Sequence, residues 1–404
     1  MSRALCTAAT GPAARWLEVA APTFAAYATL HGYEFVQVTE RLCESRPPSW
    51  DRIPLLSRLL QEHETVVWVD ADCCFVDLEA DIADRLVDGA FMAVNENVTD
   101  RGRVPNAGVM VLRAGEITQR FLREVWARVD RVEHPWWENA AMLDVLGFDH
   151  GFRADGKVAE VRLTRSTGFY DRVCELGTEF NSMFFNLPAR PRIRHLAGLY
   201  PREARLRLLA RDRELFEARY LPDGRRRNPH APMADYDWPQ AIALAQLGCQ
   251  TLEGERVALR PAADEDLDRL AGWFADPDVY AFWHRRPLGR AEIAAKYTGR
   301  CPRRHPFIVN HADGTPIGYA QIFARAGGEA GVAMMLAPGW RDRGLGPDVM
   351  RTLVDALQRH GQRVRVTPMA GNMRAVAAWR KAGLRVASHT PAGEGSLVEL
   401  VTGT

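Results

Sequence analysis

The chain has 404 residues, 47% of them hydrophobic, enough for ordinary cores in two domains or three. Its 52 basic and 51 acidic side chains nearly cancel to +1, which excludes a global field that would draw nucleic acid or an anionic membrane. No apolar run approaches the roughly 18 residues of a membrane span. Seven scattered cysteines without metal spacing fit a reducing compartment, so the expectation is a soluble cytoplasmic protein with neither a membrane span nor a nucleic-acid partner.

Residues 3–10 read as a first strand ending in small residues, broken by Gly11 and Pro12. Thr7, Ala8 and Thr10 at its end would let a planar base approach the backbone; a tight turn is the alternative. Helical spacing follows over residues 13–31, closed by Gly32, then a strand over 33–39 and a Leu-rich helix over 49–62. The run Val66-Val67-Trp68-Val69 is a buried strand leading into Asp70-Ala71-Asp72. Strand, helix, strand, helix, strand is the nucleotide-binding half of an α/β fold, whose chemistry sits at strand ends. Residues two apart on an extended chain point the same way, so Asp70 and Asp72 are candidates to share one divalent ion, and through it a diphosphate. Two solvated acids are the plain alternative. A phosphatase of the haloacid dehalogenase type is another, but its pattern wants Thr or Val where Cys74 stands.

A short helix is expected over residues 78–87 and a strand over 91–94. Asn106-Ala107-Gly108 before an apolar strand offers an amide and a close backbone approach to a sugar. Trp136-Trp137-Glu138 opens a helix; Trp137 is a candidate sugar platform, with core packing as the alternative. A strand over 193–199 carries His195, a candidate to complete the metal shell or else a structural hydrogen-bonding residue.

Asp70-Ala71-Asp72, Asn106-Ala107-Gly108-Val109, Glu138 and His195-Leu196-Ala197-Gly198 together resemble the GT-A glycosyltransferases of the GMA12/MNN10 type, over roughly residues 1–215. Trp50-Asp51-Arg52 fits too, although lysine often stands where this chain has Arg52. The resemblance implies a nucleotide-sugar donor, manganese (or magnesium) and often retention at the anomeric carbon. It implies that Asp70 contacts donor ribose and metal, and that Asp72 and His195 ligate metal. Arg52, Asn106, Ala107 and Gly108 would lie against the donor, and Glu138 near the reacting sugar.

Residues 201–219 read as an Arg- and Leu-rich helix, and 222–230 as a boundary loop. A new domain opens near Leu252: a strand over 257–261, a helix over 264–274, and a hairpin whose arms, 306–310 and 317–324, meet across Asp313-Gly314. A further strand over 331–336 leads into Arg341-Asp342-Arg343-Gly344-Leu345-Gly346-Pro347. Glycines there let backbone N–H groups converge at a helix start, an anion cradle suited to pyrophosphate; a tight turn capping the helix is the alternative. Asn372 opens a last helix, ended by Gly383.

Residues 252–404 resemble the GNAT N-acetyltransferases, and residues 306–323 and 372–384 the aminoglycoside 6'-N-acetyltransferases in particular. That resemblance implies acetyl-CoA, held by Arg341 and the backbone of Arg343, Gly344, Leu345 and Gly346, with Asn372 on the pantetheine arm. Two departures matter. Trp379 stands where many relatives have the tyrosine that protonates the leaving thiolate, and Ala333 where an aspartate is frequent. Glu329 is then the candidate catalytic carboxylate, with Asp278, Trp283 and His284 in the acceptor loop.

The expectation is an α/β GT-A nucleotide-diphospho-sugar transferase domain (1–235), a linker (236–251) and a GNAT α+β acetyltransferase domain (252–404). Such a chain would be a bifunctional tailoring enzyme acting on a small-molecule or glycan acceptor. One rival is a glycosyltransferase with a non-catalytic acyl-CoA-binding domain; another is an acetyltransferase carrying a degenerate sugar-binding domain.

Overall fold

The computed structural model describes residues 2–99, 102–152, 158–230, 235–283, 286–392 and 395–403. It divides into two compact units, Met1–Leu199 with Leu209–Ala234, and Tyr200–Leu208 with Asp235–Thr404.

The first unit opens as strand β1 (Arg3–Ala8), helix α1 (Ala14–His31), β2 (Glu34–Val38), α2 (Arg52–Glu62) and β3 (Thr65–Val69). β1 pairs in parallel with both β2 and β3, the right product of helices that cross over between strands. α2 buries Leu55, Leu56, Leu59 and Leu60, the stripe set by its 3.6-residue period. Each such side chain contributes roughly 1.5–3 kcal/mol by leaving water. β4 (Cys73–Phe75), β5 (Met92–Thr99), β6 (Gly102–Arg113), α3 (Glu116–Trp126), α4 (Trp137–Leu146), β7 (Phe148–Phe152), β8 (Val158–Leu163), β9 (Val173–Glu175) and β10 (Ile193–His195) follow. The main sheet runs β2-β1-β3-β6-β5-β9, and β10 pairs with β4 in a separate two-stranded ladder.

Two local expectations change. Residues 78–87 form only a 3-10 turn at Ile82–Arg85. Asp81 is the reason: its carboxylate accepts from the Ala83 N–H at 3.0 Å and pairs with Arg3 at 2.6 Å, which favours a capped turn over a helix. Asn106-Ala107-Gly108 lies inside β6 rather than before it. There the ladder to β5 slips: Val94 faces Met110 while Asn95 faces Asn106, so residues 107–109 bulge free of β5.

Helix α5 (Arg202–Arg219) contributes its first residues to the second unit and the rest to the first. The second unit continues with α6 (Trp238–Leu247), β11 (Leu252–Glu253), β12 (Val257–Pro261), α7 (Leu267–Phe274), α8 (Pro277–Trp283), α9 (Arg290–Tyr297), β13 (Arg304–His311), β14 (Pro316–Arg325) and β15 (Glu329–Leu336). Then come α10 (Leu345–Arg359), β16 (Arg363–Val366), α11 (Met373–Lys381), β17 (Arg385–Ala392) and β18 (Gly395–Val401). Its sheet runs β11-β12-β13-β14-β15-β16-β18-β17. Val349, Leu353 and Leu357 of α10 are fully buried against it. β15 and β16 pair in parallel only from Glu329↔Arg363 to Gly331↔Arg365. Beyond that the two strands part, and β15 continues to Leu336 paired with β14 alone. Among the described residues no helix is long and apolar enough to cross a membrane.

Candidate functional site

β3 ends at Val69 and the chain turns at once, the Cys73 N–H donating to the Asp70 carbonyl at 3.0 Å. Asp70 and Asp72 therefore sit on a turn and not on extended chain, yet both reach one histidine. His195 Nε2 lies 3.4 Å from Asp72 Oδ1 and 3.8 Å from Asp70 Oδ2. Backbone bonds hold this arrangement from three sides. The Asp70 N–H donates to Gly108 O at 2.8 Å, the Leu196 N–H to Asp72 O at 3.0 Å, and the His195 N–H to Ser182 O at 2.9 Å.

His195 is 1% exposed, and its Nε2 has no hydrogen-bond partner. Its Nδ1 lies 2.7 Å from Asn181 Oδ1, while the Asn181 amide donates to Asn106 Oδ1 at 3.0 Å. With the Asn181 oxygen accepting, Nδ1 donates a proton there and Nε2 is the nitrogen that faces the two aspartates. A buried imidazole fixed in this way, facing carboxylates, has the donor set and the supporting hydrogen bond of a divalent-cation site. Asp72, Cys73 and His195 bring one ligand atom each to within 4.8 Å of one another. Gly108 makes room for the ring: a Cβ there would stand 2.0 Å from His195 Cε1.

Beside this group, Arg52 is clamped between two carboxylates, with Nη2 2.9 Å from both Asp70 Oδ1 and Glu138 Oε1. Its Nη1 donates to Ala107 O at 2.7 Å. Trp68 Nε1 donates to the same Asp70 oxygen at 2.7 Å. Burial raises the Glu138 carboxyl above its ordinary range, and the Arg52 charge opposes the rise without cancelling it. Asp70 is raised for the same reason, against Arg52 and His195. Burial alone would lower the guanidinium, but Asp70 and Glu138 leave Arg52 above its ordinary value, so it stays charged.

Of the residues singled out from sequence, Asp70, Asp72, His195, Arg52, Glu138, Ala107 and Gly108 converge here. Asp70 Oδ1 is engaged by Arg52 and Trp68, leaving Asp70 beside the three-residue group rather than within it. Asn106 Oδ1 is likewise occupied, accepting from Asn181 and from the Gly108 N–H at 3.0 Å, so the oxygen expected to meet sugar shapes the loop instead. Thr7 is fully buried at the end of β1 with an unpartnered hydroxyl; Ala8 and Thr10 are half-buried after it. Trp137 is 42% exposed on a left-handed backbone (φ +44°), next to the buried Glu138.

In the second unit the cradle lies where β15 leads into α10. Gly344 takes φ +75° as the residue preceding the helix, and no side chain caps it, which leaves the first N–H groups at residues 345–346 open. Arg256 donates to Arg343 O at 3.3 Å, and the Arg343 guanidinium stacks 4.8 Å from the Trp340 ring centroid. Arg341 donates to Leu336 O at 3.0 Å and pairs with Asp278 at 3.1 Å, which joins a predicted cofactor contact to a predicted acceptor contact. Asn372 Oδ1 caps α11 through the Ala375 N–H at 3.1 Å. Trp283 donates from Nε1 to the Tyr297 hydroxyl at 3.3 Å and packs edge-on against Phe274 and Tyr319, as a wall of an aromatic cluster. Trp379 is 4% exposed in the core. His284 lies outside the described residues.

Glu329 is corrected. It sits at the start of β15, and the cradle follows the other end of that strand, roughly 20 Å of extended chain away. Arg365 donates to both its oxygens, at 3.0 Å to Oε1, and holds the carboxyl below its ordinary range. A carboxylate ionised and occupied in this way is a poor general base.

Cys73, Asn181 and Arg256 were missed in the sequence. Only Cys73 had a signal there, its position directly after the Asp-x-Asp pair.

Two family models match the chain: the galactosyl transferase GMA12/MNN10 family over residues 23–99, and the acetyltransferase (GNAT) domain over residues 256–385. The first match contains Arg52, Asp70 and Asp72 and ends before Asn106, Glu138 and His195. No functionally curated protein matches. Among solved structures, aminoglycoside acetyltransferase AAC(6')-Ib with coenzyme A and kanamycin is 25% identical, with a TM-score of 0.33; 36% of this chain and 94% of that one are covered. Spermidine N-acetyltransferase from Vibrio cholerae with CoA and spermine is 14% identical at the same TM-score and coverage. The chain thus joins two transferase domains, one similar to the GMA12/MNN10 galactosyl transferases and one a GNAT acetyltransferase domain.

Proposed function

We propose a bifunctional tailoring enzyme. Its first domain transfers a glycosyl group from a nucleotide-sugar with a divalent cation, and its second transfers acetyl from acetyl-CoA to an amine. The observation that carries the first activity is the unpartnered, buried His195 Nε2 aimed at Asp72 and Asp70. When bound, a cation there would neutralise the diphosphate that leaves the donor; the family likeness points to Mn2+ or Mg2+. Asp72 and His195 would hold it, and Asp70, kept in place by Arg52, would face the ribose. Arg52 also fixes Glu138 against the reacting sugar, with Ala107 and Gly108 lining the approach. Thr7, Ala8 and Thr10 receive the base, and the exposed Trp137 offers the acceptor a flat apolar face.

In the second domain, residues 343–346 bind the pyrophosphate of acetyl-CoA through N–H groups, and the one-sided edge of β15 is free to pair with the pantetheine amides. Asn372 caps α11 beside this path, and Asp278 and Trp283 shape the acceptor end. Likeness to aminoglycoside 6'-N-acetyltransferases over residues 306–323 and 372–384 favours an amino-sugar-containing product as the common acceptor. The free cysteines suit a cytoplasmic location.

Purified protein incubated with a panel of nucleotide-sugars and amino-sugar acceptors should release nucleoside diphosphate with Mn2+, and not with chelator or in Asp72→Ala. Release that ignores both metal and Asp72 would overturn the reading. A second reading, a glycosyltransferase with a regulatory acyl-CoA-binding domain, is favoured by the burial of Trp379 in the core. Acetyl-CoA binding without turnover on any amine would select it.

A further inference from the structure

We propose that Cys73 is a third protein ligand of the cation site, which makes the site carboxylate, imidazole and thiolate and suits it to a thiophilic or borderline divalent ion of the Co2+ or Zn2+ class. The inference rests on the reading that Asp72 and His195 hold a cation, and it deepens that reading by adding a thiolate that lets the site take softer ions besides Mn2+.

Three observations converge. Cys73 Sγ, an Asp72 oxygen and a His195 ring nitrogen all lie within 4.8 Å of one another, and all three residues are buried. Cys73 and His195 are directly opposed partners in the antiparallel β4–β10 ladder, so their side chains leave the same face. His195 Nε2 is a buried nitrogen without a partner, its ring held through Nδ1 by Asn181, and Gly108 leaves the space the ring needs. The neighbouring Cys74 is the contrast: its thiol faces Thr23 and its own strand's carbonyl, on the opposite side.

Thiolate ligands select softer ions than a site of oxygens alone, whereas Mn2+ and Mg2+ favour carboxylate, carbonyl and water. On binding, the S–H bond of Cys73 breaks as the sulfur–metal bond forms, and the proton passes to solvent; no oxidation state changes.

The test uses the full chain and Co2+ alone. Titration should give a sulfur-to-cobalt charge-transfer band in the near ultraviolet that saturates with one bound ion. Cys74→Ser should keep the band. Cys73→Ser should lose it and bind Co2+ or Zn2+ on the order of 10–100-fold more weakly, with Mn2+ affinity little changed. Co2+ bound in an Asp72-dependent way without the band, in wild-type protein, would overturn thiolate ligation and leave the cation site standing. A band that survives Cys73→Ser would overturn it equally. Absence of any Asp72-dependent Co2+ binding would overturn both this inference and the metal-dependent reading beneath it.

Discussion

In the first unit the candidate site is made of side chains: Asp72, Cys73 and His195 within ligand reach, and Arg52 bridging Asp70 and Glu138 at 2.9 Å each. In the second it is made of backbone: open N–H groups after Gly344 and a strand edge left single where β15 and β16 part. A side-chain site concentrates charge in a buried place, so each member depends on the others and single changes are costly. A backbone cradle spreads its donors over several peptides, so no one side chain carries it. Substitutions should therefore hurt the first site more than the second.

The largest expected effect comes from Arg52→Met. It leaves the buried Glu138 and the part-buried Asp70 without their counter-charge, and breaking a buried pair from one side costs up to about 3–5 kcal/mol. Urea denaturation followed through a first-unit tryptophan should show the loss directly. If Glu138→Gln is added, part of the stability should return, because one of the two uncompensated charges has gone. Equal stability in wild type and Arg52→Met would mean the clamp is not charged as described.

Next is Gly108→Ala. Its Cβ would meet His195 Cε1 at 2.0 Å, so the ring must move away from the aspartates. Divalent-cation affinity measured by calorimetry should fall roughly 10–100-fold, the usual cost of disturbing what orients a ligand. Asn181→Leu should act in the same direction through the tautomer, while leaving the room around the ring unchanged.

How much of this was legible in the sequence follows the same division. The apolar run at residues 66–69 and the acids after it are local, as are the glycines at 344 and 346, and the elements around them stand where periodicity put them. The partners of those acids are not local. Cys73 meets His195 through a ladder of three residues per strand, a pairing no window of sequence displays. Asn181 reaches the histidine from a 3-10 turn with no hydrophobic period. The helix expected over 78–87 failed because Asp81 spends its carboxylate on Arg3 and a turn N–H. Glu329 is near the cradle along the chain, but an extended strand carries its first residue as far from its last as the chain allows.

Gly344→Ala sharpens the comparison from the other side. A φ of +75° costs a residue with a Cβ about 1–2 kcal/mol, and nothing but the tip of Arg256, at 3.7 Å, lies near the added atom. The KM for acetyl-CoA should rise several-fold as the turn distorts, with kcat less affected, since the cradle binds and does not react. A collapse comparable with Arg52→Met would show that the second site also depends on one residue.

The smallest effect belongs to Glu329→Gln. Arg365 and, at 3.6 Å, Arg363 hold this carboxylate at the paired ends of β15 and β16, where its role is to tie strands together. Acetyl transfer should stay within about twofold of wild type, against the large loss expected of a general base. Stability of the second unit should fall by about 1 kcal/mol or less at neutral pH, the scale of an ion pair with exposed partners. The sign with pH follows from the direction of the shift. Because Arg365 lowers the folded-state value, the carboxylate binds protons more readily in the unfolded chain. Its contribution is complete above the ordinary glutamate value and disappears as pH falls through the lower folded value. Wild type and Glu329→Gln should therefore differ in denaturation midpoint at pH 7 and converge in acid. A difference that persists unchanged into acid would place the loss in packing or hydrogen bonding instead of charge.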